Sequence, residues 1–238
     1  MRFPYGLQII ESCLTCTLRQ DRLFCNLAPE ALRSLEAIRS TATYPKGTVL
    51  FVEGQSPRGV FLLCNGRAKL SATSSEGKSL ILKIAEQGEV LGMSATVSGR
   101  PYEATLELLE PSQVNFLRRD DFLNFLRQHG EVALRTAQQL SQNYHSACQE
   151  IRSLGFAQSA AGRLARLLLD WAASQERGGN GLRLKMALTH EEISQRIGTS
   201  RETVTRIFAD FKKRRLVSVK GSTVTICDKA ALENMITS

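Results

Sequence analysis

Arg201, Glu202 and Arg206 are the residues whose types and spacing could do the most specific chemistry in this chain. An arginine fork can donate twice to guanine O6 and N7, and a glutamate can accept from cytosine N4. All three fall in the run Ser200-Arg-Glu-Thr-Val-Thr-Arg206. Val204, Ile207, Phe208 and Phe211 recur there at helical spacing and predict a buried stripe. Arg201, Glu202, Thr205 and Arg206 are left facing outward near the helix start, the end that recognition helices present to the major groove. Ser200 and Thr203, with the open amides of the first turn, can hold a phosphate.

Such side chains need a scaffold, and the flanking residues describe one. Thr189 followed by Glu192 is a capping-box pair that predicts a helix start. Ile193 and Ile197 give that helix an apolar stripe, and Gly198 can end it in the left-handed conformation. Ser200 then caps the second helix. The basic run Lys212-Lys213-Arg214-Arg215 suits both a helix C-terminus and a phosphate backbone. LVSVK (216–220) and TVTIC (223–227) alternate around Lys220-Gly221-Ser222 and predict a hairpin. A helix-turn-helix followed by a hairpin is a winged helix. A solvated charged helix face would use the same residue types; the basic run and the hairpin favour base reading.

Charge supports this placement. The chain has 238 residues, 31 basic and 23 acidic, a net charge of +8. Residues 160–238 hold 14 of those bases and 8 of the acids, a net of +6 against +2 for the remainder. Positive charge concentrated on one segment is the footprint of a nucleic-acid binder. No apolar run has the length of a membrane span. The N-terminus lacks the pattern of a secretory signal. The chain is therefore expected in the cytoplasm, away from any membrane, where its six cysteines are poor candidates for structural disulfides.

Upstream, residues 1–27 read as a Cys-containing arm and residues 28–130 as a sensor domain. Within the latter, residues 28–39 predict a short helix. From Thr43 to Leu117, short apolar runs punctuated by glycines predict an antiparallel β sandwich or roll. A helix is expected from about Arg119. A longer one over 131–155 carries Ala133, Ala137, Leu140, Tyr144, Ala147, Ile151 and Leu154 at alternating spacings of four and three. That 3.5-residue period predicts a dimerisation seam rather than packing on a sheet. Residues 156–176 form a further helix with Leu164, Leu167, Leu168 and Trp171 as core. RGGNG (177–181) is a turn before a short strand in LRLKMAL. The expected fold is α+β: an N-terminal antiparallel β roll of jelly-roll type, a long dimerisation helix, and a C-terminal winged helix-turn-helix over 156–238.

In that order these elements resemble the Crp/Fnr family of bacterial transcription regulators, from about Leu23 to Asp228. SRETVTR (200–206) is very similar to the recognition helix of the cyclic-AMP receptors in it. YPKGTVLFVEGQ (44–55) and GVFLLCNGRAKL (59–70) carry the resemblance through the roll. The resemblance implies base reading by Arg201, Glu202 and Arg206, phosphate contacts by Thr189, Ser200 and Thr203, and a TGTGA-like palindromic operator. It also implies a homodimer and RNA polymerase as a partner. The cyclic-AMP pocket of that family has a Gly-Glu pair and then an Arg-Ser pair. This chain has Gly92-Met93 and Glu103-Ala104, so the ribose-binding acid is lost and an acid would repel the phosphate. Cyclic AMP is not the expected effector.

Cys13-Leu-Thr-Cys16 is a CxxC, and Cys25 follows after eight residues. Thiolates so placed can hold an iron–sulfur cluster or zinc; they could equally be free thiols or a thiol switch. The set resembles the iron–sulfur oxygen sensors of the same family, although the gap to Cys25 is longer. Where those sensors carry a fourth cysteine, this chain has Asn115. Cys64, Cys148, Asp21 or a histidine could substitute, with Cys64 expected as buried core and Cys227 as packing in the wing. The leading expectation is a homodimeric DNA-binding regulator sensing a signal other than cyclic AMP, with oxygen, nitric oxide or redox state as candidates through Cys13, Cys16 and Cys25. The alternative is a redox or metal-binding protein whose C-terminal module serves protein contacts. No catalytic triad, phosphate-binding loop or HExxH motif suggests an enzyme.

Overall fold

The computed structural model describes residues 4–155, 159–176, 183–186, 188–221 and 223–237. It contains two compact units, divided after Ser146. The first begins with the cysteine arm and continues through α1 (Pro29–Ile38), β1 (Arg39–Tyr44), β2 (Val49–Phe51), β3 (Gly59–Asn65), β4 (Ala68–Thr73), β5 (Ser79–Ala85) and β6 (Val90–Leu91). It goes on through α2 (Met93–Ser98), β7 (Thr105–Leu108), β8 (Ser112–Arg118) and α3 (Arg119–Gln128). Next comes α4 (Gly130–Gly155), inside which the division falls. The second unit holds α5 (Ala160–Glu176), β9 (Arg183–Lys185), α6 (His190–Ile197), α7 (Arg201–Lys213), β10 (Val217–Lys220), β11 (Thr223–Ile226) and α8 (Lys229–Thr237).

The first unit is built on two antiparallel four-stranded sheets, ordered β1-β8-β3-β6 and β2-β7-β4-β5. Both contribute to one interior: Leu63, Leu91 and Val114 from the first meet Phe51, Ala68, Ala85, Leu106 and Leu108 from the second. The first sheet is also covered on its other face. Val60, Leu62, Cys64 and Leu117 pack there with Leu32 and Leu35 of α1, Phe122 and Phe125 of α3, Val132 of α4, and Phe24 of the arm. A strand buried on both faces reads as a continuous apolar run rather than an alternation, which is why β3 has the sequence GVFLLCN. The second sheet pairs Lys69 with Glu107 directly across its strands, at 3.2 Å.

The run from Ser79 to Met93 holds two strands: β5 ends at Ala85, a turn follows, and β6 has only two residues. One expectation about elements needs correction. Residues 93–98, expected as strand texture, form α2. Gly92 opens that helix at φ +76°, and a Cβ there would sit 2.7 Å from Tyr102 Cε1. Only glycine meets both demands. A second difference is at Cys227, which is exposed rather than packed. Val224 and Ile226 hold the buried positions of β11, so the alternation turns the next residue outward.

The arm is tied down by side chains of the roll. Gln113 Oε1 accepts from Ile10 N, and its Nε2 donates to Ile10 O, both at 2.7 Å. Glu36 Oε1 accepts from Ser12 Oγ and Cys13 N, both at 2.6 Å. Gln139 of α4 makes the same two-bond exchange with the backbone of Val90. Lys83 donates to Asn143 Oδ1 at 2.7 Å. These bonds fix the N-terminal half of α4 on the roll.

Candidate nucleic-acid interface

In the second unit the helix pair forms as its caps dictate. Thr189 Oγ1 accepts from Glu192 N, and Glu192 Oε2 accepts from Thr189 N at 2.9 Å, closing the capping box. Gly198 ends α6 at φ 62°, ψ 51°. Ser200 Oγ accepts from Thr203 N at 3.2 Å and donates to Thr203 Oγ1 at 3.1 Å. Val204, Ile207, Phe208 and Phe211 are buried, together with Ile193 and Ile197 of α6.

Arg201, Glu202, Thr205 and Arg206 are exposed along the first turns of α7. Glu202 stays below the ordinary carboxylate range because the helix-start amide and the Ser200 hydroxyl favour its charged form. It is therefore an acceptor at neutral pH, as pairing to a cytosine amine requires. Lys212, Lys213, Arg214 and Arg215 are all exposed at the far end. Behind them β10 and β11 pair antiparallel, and β9 joins the other edge of β11. This is the wing. The RGGNG turn and Ser222 lie outside the described residues.

Two contributors were not legible as site residues. Arg163 of α5 donates from Nε to Ile197 O at 2.7 Å, so a cation caps the C-terminal end of α6 beside the inter-helix turn. His190 stacks on Phe208 of α7, rings 5.0 Å apart and 2° from parallel. Its Nδ1 lies 3.0 Å from Thr205 Oγ1. Both contacts join elements distant in sequence, and no local spacing announces them.

In the first unit the cyclic-nucleotide positions have become structural. Met93 is buried in the helix-covered core. Glu103 is exposed and accepts from Ser94 Oγ at 2.6 Å. Tyr102 is buried, stacked on Phe51 with ring centroids 3.9 Å apart, and donates to Gly59 O at 2.7 Å. Met93 offers no acceptor for a ribose hydroxyl, and Glu103 no cation for a phosphate.

Cys13 and Cys25 pack against the core cluster that contains Cys64. Burial pushes the Cys25 and Cys64 thiols up to about 12; Arg22 counteracts this at both, while neighbouring arm thiols add to it. Cys16 lines an open cleft of about 370 Å³ with Gln8, Glu11, Ser12, Thr17 and Asn65. Arg22 is itself buried, donates from Nη1 to Cys64 O at 2.9 Å, and leaves Nη2 without a partner. Among the described residues, no three of His, Cys, Asp and Glu are gathered as a metal site. Asn115, at the fourth-cysteine position, is buried with Oδ1 accepting from Thr41 Oγ1 and Arg39 Nη1.

Of the seam residues on α4, Ala137, Tyr144, Ala147 and Ile151 are exposed, while Ala133 and Leu140 are half-buried. Tyr144 is 74% and Ile151 69% exposed. Leu154 lies outside the residues whose side chains are described.

A roll joined through one long helix to a winged helix-turn-helix defines a DNA-binding transcription regulator. Residues 41–129 match the cyclic nucleotide-binding domain and residues 162–235 the Crp-like helix-turn-helix domain. The chain belongs to the Crp/Fnr family. It is 25% identical over 218 residues to the CRP-like cAMP-activated global transcriptional regulator of Mycobacterium tuberculosis, covering 90% of this chain and 96% of that one. It is 27% identical over 218 residues to the cyclic AMP receptor protein of Thermus thermophilus, covering 92% and 98%. In fold it is similar to FixK2 from Bradyrhizobium japonicum, with a TM-score of 0.74 at 18% identity, covering 83% of this chain and 97% of that one. No helix among the described residues is long and apolar enough to cross a membrane.

Proposed function

We propose that the chain acts as a homodimer whose two α7 helices read a TGTGA-like palindrome, under control of a signal other than cyclic AMP. The observation that carries the dimer is the exposed stripe Ala137-Tyr144-Ala147-Ile151 on α4. Leaving such apolar area in water costs about 25 cal/mol per Å², and the same stripe on a second copy covers it at matching period. Two recognition helices then meet half-sites on successive turns of the duplex. Arg201 and Arg206 suit guanines and Glu202 a cytosine, while the second lone pair of Ser200 and the hydroxyl proton of Thr203 remain to serve the phosphates, with Thr189 alongside. The regulator works in the cytoplasm and acts on transcription through RNA polymerase.

Selection from random duplexes tests the operator. Enrichment of a TGTGA/TCACA palindrome supports the reading, and enrichment of an unrelated site or of none refutes it. Light scattering tests the dimer: Tyr144→Glu with Ile151→Glu is expected to halve the mass. Calorimetry with cyclic AMP is expected to show no binding, in line with the burial of Met93 and the acid at Glu103.

A second reading concerns the input. The neighbouring Cys13, Cys25 and Cys64, with the unpaired Nη2 of buried Arg22, favour an anionic thiolate centre in this arm. The donor set suits an iron–sulfur cluster or zinc, with Cys16 as a further ligand, and the arm would have to draw together to hold either. Bound metal would stabilise thiolates that burial otherwise keeps protonated. Anaerobic purification with absorption spectra and metal analysis separates the cases. A chromophore lost in air indicates a cluster, and colourless protein with stoichiometric zinc a zinc site. Metal-free protein removes this reading.

A further inference from the structure

His190 is the first residue of α6 and touches the recognition helix twice, through Phe208 and Thr205. The geometry of the second contact favours one state of the ring. Thr205 Oγ1 carries one proton, and that proton is directed at Arg201 O, 3.0 Å away. The contact between His190 Nδ1 and the same oxygen then needs its proton on the histidine. In the neutral ring Nδ1 is therefore the donor and Nε2 the acceptor. A neutral acceptor has nothing to offer a phosphate; a protonated Nε2 would donate to one.

The surroundings keep the ring neutral while the protein is free. Partial burial lowers the proton affinity of His190 first, and the Arg201 and Lys212 cations of α7 lower it further. The positive end of α6 acts in the same direction. Of the groups that oppose protonation, Arg201 and Lys212 stand on the exposed face carrying the base-reading and basic residues. DNA phosphates meeting that face would neutralise their field and reverse its sign.

We propose that His190 is a positioning residue that takes up a proton when α7 meets DNA, bracing the recognition helix in its neutral form and adding a phosphate contact in its charged form. This rests on DNA binding by α7, and it makes that binding depend on pH. A group that gains affinity for protons in the complex strengthens binding fully below its free-state value. The gain is lost as pH rises through its bound-state value. Each unit of difference between the two states is worth at most about tenfold in affinity.

The test uses the full chain with ring-¹⁵N histidine and a short duplex of arbitrary sequence at low salt, where phosphate attraction alone supports binding. The three imidazoles are assigned by the signal missing in His190→Gln. The expected free protein shows the Nδ1–H form titrating below the usual histidine value, and duplex raises that value. Duplex affinity measured by anisotropy falls about threefold to tenfold from pH 6 to pH 8 through this group, and His190→Gln removes that part of the fall. The Nε2–H form in free protein, no rise with duplex, or an unchanged pH profile in His190→Gln overturns the proposal. His190→Arg, charged at every pH, is expected to hold the stronger affinity across the range; failure to do so while the variant melts normally counts against the phosphate contact. Wild type that binds no duplex at either pH would instead refute the DNA-binding reading beneath it.

Discussion

At the scale of single residues, the exposed trio of α7 and the capping and anchoring residues around it answer to different measurements. Arg201→Ala, Glu202→Ala and Arg206→Ala remove side chains with no core role, so thermal melting is expected to stay unchanged. Each should cost about 1–3 kcal/mol of discrimination between the selected operator and a mismatched one, read by competition binding. Thr189→Ala belongs to the other class. It opens the capping box that starts α6 and is expected to cost about 1 kcal/mol of stability, read by urea denaturation. Glu36 is the corresponding anchor of the arm. The Ser12 hydroxyl, with backbone amides and Arg39 behind it, holds its carboxyl below the ordinary range. Its anchoring is complete above the unfolded carboxylate value and is lost as pH falls through the lower folded one. Glu36→Ala should therefore speed maleimide labelling of Cys13 at neutral pH, because that thiol is otherwise kept protonated by burial. Equal labelling rates would show that Glu36 does not hold the arm.

At the scale of elements, Gln139 is the most demanding contact of α4. Its amide satisfies both backbone groups of Val90, and residue and strand are buried. Gln139→Leu leaves a buried donor and acceptor unpaired and is expected to cost about 1–3 kcal/mol for each group, measured by chemical denaturation. The helix-turn-helix was readable residue by residue because its signals are local: Thr189 with Glu192, Gly198, Ser200, and a stripe within thirteen residues of α7. The roll was readable only as a class. Its partners lie far apart, as β1 on β8 shows with Arg39 opposite Leu117, and glycine spacing does not say which strands meet. The helix at Met93–Ser98 went unread because six residues are too few to show a period. Cys64 could be placed in a strand, but nothing local indicated that this strand backs onto the arm.

At the scale of the whole molecule, charge asymmetry sets the salt response. The exposed run Lys212–Arg215 and the arginines of α7 predict binding that weakens linearly in log affinity against log salt. Lys212→Gln with Lys213→Gln should reduce that slope by about two for each protomer bound while leaving sequence preference intact. A changed preference with an unchanged slope would reassign these lysines to base contacts. The output half of the molecule was legible because DNA chemistry demands particular side chains at one helix end. The input half was not: Met93 is buried in the core where a ribose contact was looked for, Glu103 is exposed, and the thiols have neighbours only in three dimensions. The boundary between the units falls inside α4 rather than in a loop. For anyone grafting another sensor onto this head, that makes residue count the governing variable. Each residue inserted in α4 turns the rest of that helix by about 100° about its axis, whereas seven at a time restore the proposed seam's phase. Chimeras joined in whole heptads should keep their function where those off by a residue or two lose it.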